Sequence, residues 1–104
     1  MPWIQLFFAG LLEVVWSTAM KQSHGFSRLA PTAVMLVGMV ASFWLLSLAM
    51  RSLPLGTAYA VWTGIGAIGS LAVGMAMMGE PITPLRILAA TLILAGIVLM
   101  KVAS

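Results

Sequence analysis

The sequence contains no cysteine, only two acidic residues and a single histidine. Without cysteine there is no disulfide framework and no thiol chemistry, so redox gives no hint of compartment. Charge is scarce as a whole: 7% of residues are Asp, Glu, Lys or Arg, against about 25% in a soluble domain. That is too few to cover a water-facing surface. With 62% hydrophobic residues and a mean hydropathy of +1.15, lipid is the solvent for most of this chain. The net charge of +3 comes from dispersed cations that form no stripe for nucleic acid; they sit at segment ends, as headgroup-level anchors do. No metal-ligating cluster, nucleophile–base pair or pair of acids occurs, which argues against an enzyme and leaves no metal or cofactor site.

What is present is organised by its punctuation. The first apolar stretch runs from Pro2 to Met20, broken only by Glu13. It lacks a basic leader and a small-residue cleavage site, so it is expected to stay in the mature protein rather than act as a signal peptide. Lys21, Ser23, His24, Gly25, Ser27 and Arg28 make a polar loop, and Pro31 stands in the first turn of the next segment, where proline is favoured. Pro54 and Gly56 mark a turn, and Gly79, Glu80 and Pro81 mark another. Thr83 and Pro84 fit the N-cap and first position of a last helix. The expected fold is therefore an all-α membrane protein with four transmembrane helices in one domain, 1–104, with spans at roughly 2–21, 30–50, 55–78 and 84–102. The last span has only 14 uncharged residues between Arg86 and Lys101, so both side chains must snorkel.

Lys21, Arg28 and Arg86 fall on one side of such a bundle, Arg51 and Lys101 on the other. The positive-inside rule then has almost nothing to act on. Insertion in both orientations and a single orientation set by a weak bias both remain open on charge alone.

Glu13 is the most informative residue. It lies near the middle of the first span, where an ionised side chain costs on the order of 2.5–3.5 kcal/mol. Helical projection puts Leu6, Ala9, Gly10, Glu13, Trp16, Ser17 and Met20 on one face, a mixture suited to a cavity wall. No other acid and no base sits at that depth. Desolvation disfavours the bare carboxylate, so Glu13 is expected to hold a proton or a cation, which is the physical basis of exchange. The competing reading is a protonated acid that merely ties helices together.

The third span offers a second polar stripe of Gly56, Tyr59, Trp62, Thr63, Gly66 and Ser70. Tyr59 could be an interfacial anchor, but Trp62 lies a turn deeper, and an aromatic face holds a desolvated cation well. The run Gly64 to Gly69 matches G-x-G-x-x-G formally, yet it lies inside a span and lacks the strand and acid of a nucleotide fold. Gly66, Ser70 and Gly74 instead form a small-xxx-small packing series, and the glycine run is a plausible bending point. Ser42 is the only hydroxyl deep in the second span, where most serines bond their own backbone. On the fourth span, Ala89 and Gly96 suit a helix-dimerisation seam.

These residues resemble the small multidrug resistance (SMR) transporters over essentially the whole chain. The likeness rests on Gly-Leu-Leu-Glu-Val-Val-Trp (10–16), His-Gly-Phe-Ser-Arg-Leu (24–29) and Pro-Leu-Gly-Thr-Ala-Tyr-Ala-Val-Trp-Thr-Gly-Ile-Gly-Ala (54–67). Trp16, where exporters of polyaromatic cations have glycine, and Lys101 look most like the guanidinium exporter branch; Ser-Phe-Trp-Leu-Leu (42–46) looks more like the quaternary-ammonium branch. The resemblance implies an antiparallel, dual-topology homodimer in the bacterial plasma (inner) membrane, driven by the proton gradient with no cofactor. It implies that Glu13 binds both proton and cationic substrate, with Trp16, Ser42, Tyr59 and Trp62 around it, and that the fourth helix holds the dimer. Three functions compete: a proton-coupled guanidinium exporter, a quaternary-ammonium exporter of the same fold, and a small structural or regulatory membrane subunit.

Overall fold

A computed structural model describes residues 2–103; Met1 and Ser104, the ends of the expected domain, lie outside the described residues. The apolar runs form four helices: α1 (Pro2–Gln22), α2 (Leu29–Ala49), α3 (Leu55–Met77) and α4 (Pro84–Ala103). No strand occurs among the described residues. At 1.5 Å per residue each helix is about 30–35 Å long, the thickness of a hydrocarbon core, and all four are apolar enough to cross a membrane. The four-helix, all-α membrane architecture expected from sequence is the one the chain adopts.

The helix ends show local chemistry at work. Thr83 caps α4: its hydroxyl accepts the Arg86 N–H at 3.1 Å and its carbonyl accepts the Ile87 N–H at 3.0 Å. Gly79, just past the end of α3, has φ 71°, the left-handed turn that glycine adopts without penalty after a helix. Two boundaries differ from expectation. Lys21, expected in the first loop, belongs to the last turn of α1, where a cation complements the helix dipole. Helix α2 starts at Leu29, two residues before Pro31; proline is accommodated because first-turn N–H groups have no intrahelical partner.

The first loop turns tightly, with His24, Gly25 and Phe26 all at positive φ (49°, 73° and 69°). Two of these are non-glycine residues in a region that L side chains rarely occupy. Buried Ser23 holds the turn. Its hydroxyl donates to the Met20 carbonyl at 2.7 Å and accepts the Phe26 N–H at 3.1 Å, while its carbonyl accepts the N–H groups of Ser27 and Arg28.

Across the bundle the order is α2, α1, α3, α4. Helix α1 packs along both α2 and α3, α4 packs along α3, and α2 barely meets α3. The result is a slab of 41 × 34 × 16 Å, little more than one helix layer thick. Glycines let the helices approach: a Cβ at Gly38 would press on Trp16, one at Gly10 on Ile65, and one at Gly64 on Ile97. In lipid such close packing, not exclusion from water, holds helices together. The buried core of Leu6, Ala9, Leu46, Ala49, Ala58, Val61 and Trp62 lies towards one end of the slab. That end carries the start of α1, the α2–α3 turn and the end of α4, where the Lys101 ammonium stands 5.4 Å over the Trp3 ring.

Ser23→Ala is expected to lower stability by about 1–2 kcal/mol, since it removes both side-chain hydrogen bonds from a buried turn. Denaturant titration of detergent-solubilised protein checks this; an unchanged midpoint would show that the helix ends alone set the loop.

Candidate functional site

Midway along α1, Glu13 turns its carboxyl towards α3 and lies directly over Gly66. A Cβ at that glycine would overlap the carboxyl group, so the absence of a side chain on α3 is what makes room for the acid. Gly69 receives Val14 in the same way, one helical turn on. The small-residue series expected to pack helices thus does so, and it also forms the floor under Glu13.

A cavity of about 260 Å³ opens here, lined by Glu13, Trp16, Ser17, Thr63, Gly66, Ala67 and Ser70. The structure therefore brings together five sequence-predicted residues: Glu13, Trp16, Ser17, Thr63 and Gly66. Among the described residues Glu13 has no ion-pair or hydrogen-bond partner, and the one salt bridge joins Arg86 to Glu80 at 3.0 Å. The Trp16 indole N–H is likewise buried without a partner among them. A donor and an acidic group left unpaired beside one cavity are a demand for a ligand, because burying either unpaired costs free energy.

Ser42 and Trp62 stand behind this cavity rather than in its wall. Ser42 is fully buried; its hydroxyl donates to the Ala9 carbonyl at 2.6 Å and accepts the Trp62 indole N–H at 3.0 Å. The expectation that such a serine bonds its own helix fails: its partners are on α1 and α3. The bond chain Trp62–Ser42–Ala9 ties three helices together one turn before Glu13 and fixes the indole plane. Tyr59 is half-exposed and reaches the site through Trp62, ring centroids 5.6 Å apart. Phe43, which sequence reasoning missed, completes an aromatic row: it lies 6.3 Å from Trp16 and 5.7 Å from Trp62, edge to face with both. Its signal in the sequence was its place beside Ser42 in the stretch Ser-Phe-Trp-Leu-Leu (42–46).

The remaining predicted residues sit apart. Gly10 is buried against Ile65 and Gly64 against Ile97, while α3 continues unbroken through the glycine run. Ala89 is exposed, and a Cβ at Gly96 would meet only open space. Helix α4 has no buried residue at all, so its seam faces outward from the single chain. Met20, projected onto the Glu13 face, points away and is exposed.

Four apolar helices around an unpaired acid at mid-depth define a small multi-pass membrane protein with a polar site inside its span. The chain belongs to the small multidrug resistance family: the model of the Small Multidrug Resistance protein matches residues 1–93. It is 58% identical to a guanidinium exporter of Yersinia pseudotuberculosis, with all of both chains covered. Guanidinium exporters of Salmonella typhimurium and Citrobacter freundii are 52% and 51% identical, over all of this chain and 99% of each of theirs. The family and the four spans place the chain in the bacterial inner membrane as a multi-pass protein.

Ser42→Ala is expected to cost about 1–3 kcal/mol, because it leaves the Trp62 N–H buried without an acceptor. Unfolding followed by tryptophan fluorescence measures it; a loss below about 0.5 kcal/mol would mean that the bond does not carry the three-helix junction.

Proposed function

We propose that the chain exports guanidinium and small guanidinyl cations in exchange for protons, working as an antiparallel homodimer. The observation that carries the reading is the unpaired Glu13 carboxyl facing a cavity whose other buried polar group, the Trp16 N–H, is also free. The names of relatives at 51–58% identity supply the substrate class.

The exchange follows from electrostatics. A bare carboxylate at this depth is costly, so Glu13 is neutralised either by a proton or by a cation before the helices move. Guanidinium presents N–H donors in a planar fork that suits carboxylate oxygens. Its faces suit the row Trp16, Phe43, Trp62 and Tyr59, and cation–π attraction grows as the ion loses water. The unpaired Trp16 N–H is a donor left free for a ligand in the cavity, and the Ser42–Trp62 bond keeps the Trp62 ring still. Two copies bring two carboxyls together, so up to two protons leave for one monovalent cation, and charge moves with each cycle.

A slab about one helix thick cannot enclose a gated path, whereas two slabs facing each other across their Glu13 cavities can. The outer face of helix α4, which has no fully buried residue and leaves Ala89 and Gly96 open, supplies the seam for the second copy. Loop charges divided two against three allow both orientations. Antiparallel copies that trade conformations around a midplane site give alternating access. A second reading, export of quaternary ammonium, draws on Phe43: a broad aromatic wall accepts cations that donate no hydrogen bond. Transport of guanidinium against a bulky aromatic cation in the same proteoliposomes separates the two.

Glu13→Gln is expected to abolish guanidinium-driven proton flux while leaving a folded protein. In the wild type, half-saturating guanidinium should rise as pH falls, because protons then occupy the carboxyl that the cation needs. Electrical recording on proteoliposomes tests both; flux in Glu13→Gln, or an affinity indifferent to pH, would refute a shared site. A reporter fused to the C-terminus should signal from both sides of the membrane, and one added loop lysine should skew the ratio. A single orientation with full activity would overturn the antiparallel assembly.

A further inference from the structure

The Glu13 cavity does not end at the carboxyl. Ser17 and Ser70, one turn further along α1 and α3, line it and also line a second cavity of about 190 Å³. Their hydroxyl oxygens are 3.1 Å apart, and Ser17 also bonds the Val14 carbonyl at 3.1 Å. The second cavity continues past Thr18 to Lys21 and Glu80 at the membrane surface. Glu80 is seated there by three features. Its N–H donates to the Gly74 carbonyl at 3.0 Å, its carboxyl lies where Gly74 has no side chain, and Arg86 donates to that carboxyl at 3.0 Å. At the opposite end of the bundle Leu6, Ala9, Ala58 and Val61 are packed into the buried core.

We propose that the Ser17–Ser70 hydroxyl pair is a proton-selective partition between the Glu13 site and a vestibule whose mouth is framed by Lys21 and Glu80. This rests on the proposed exchange function and assigns its proton path. The small cavity has room for a short file of waters. A proton arriving from that file binds a lone pair of one hydroxyl, whose own proton moves on along the hydrogen bond to the other. The second hydroxyl hands its proton to the Glu13 side, so each oxygen ends with one proton as before. Guanidinium cannot pass in this way. It would have to break the pair and squeeze between α1 and α3. The cation therefore uses the open face of the slab, and the two ligands reach one carboxyl by different doors. In an antiparallel pair the two vestibules face opposite sides of the membrane, and only the one on the side to which the pair is open passes protons, as alternating access requires.

The test is guanidinium-driven proton flux in proteoliposomes of the full chain, with guanidinium binding followed in parallel by tryptophan fluorescence. Ser70→Ala is expected to slow the maximal flux at least tenfold while the half-saturating guanidinium concentration changes less than about threefold. Ser70→Thr, which keeps the hydroxyl, is expected to restore most of the rate. An unchanged rate in Ser70→Ala and in the Ser17→Ala/Ser70→Ala double variant would overturn the partition. So would a loss of affinity that matches the loss of rate, or a Thr variant as slow as Ala, since either would make Ser70 a packing residue. A wild type that moves no protons with guanidinium refutes the exchange function itself, and the partition with it. A coupled wild type beside an equally fast alanine variant refutes the partition alone.

Discussion

An ionised carboxyl at mid-membrane depth with no countercharge is costly, and the packing around Glu13 leaves it without one among the described residues. A salt bridge to a neighbouring helix would satisfy the acid permanently and remove its use. The chain has the cations for such a bridge, but all of them lie at helix ends, and Arg86 is engaged by Glu80 instead. Among the described residues the fold thus keeps its one ion pair at the surface and leaves the interior acid unpaired.

The two halves of the bundle divide the labour that follows from this. Towards the Trp3 and Lys101 end, side chains interlock, and a serine bridged to a carbonyl and an indole ties three helices into a stiff block. Towards the Lys21 and Glu80 end the α1–α3 contact is made of glycines and hydroxyls, with two small cavities along it. Close packing resists deformation while hydroxyl and glycine contacts slide at little cost. A single chain of four helices thus carries a stiff block at one end and a looser seam at the other.

Much of this was legible in the sequence, for physical reasons that can be named. Hydrophobic runs bounded by charge, proline and glycine gave the four spans, because a bilayer enforces both length and composition. Glu13 stood out because acids at that depth are expensive, and Gly66 because small residues at four-residue spacing let helices touch. Cross-helix partners could not be seen. Nothing local distinguishes a serine bonded to its own backbone from Ser42, whose acceptor is 33 residues away and whose donor is 20 residues away. Phe43 was hidden because one aromatic among many on a lipid-facing helix carries no mark of which rings it will meet.

The seat under Glu13 also constrains how this chain can change over generations. Every replacement of glycine by another amino acid introduces a Cβ, and at position 66 that carbon would occupy the volume of the carboxyl group. No replacement at this position is free of the clash, not even the step to alanine. Lineages that acquire a new cargo are left with the cavity's other walls: Thr63 and Ala67 on α3, Trp16 on α1 and the ring of Phe43 behind it. The residue with no side chain is the least adjustable part of the site, and variation among descendants should collect around it rather than at it.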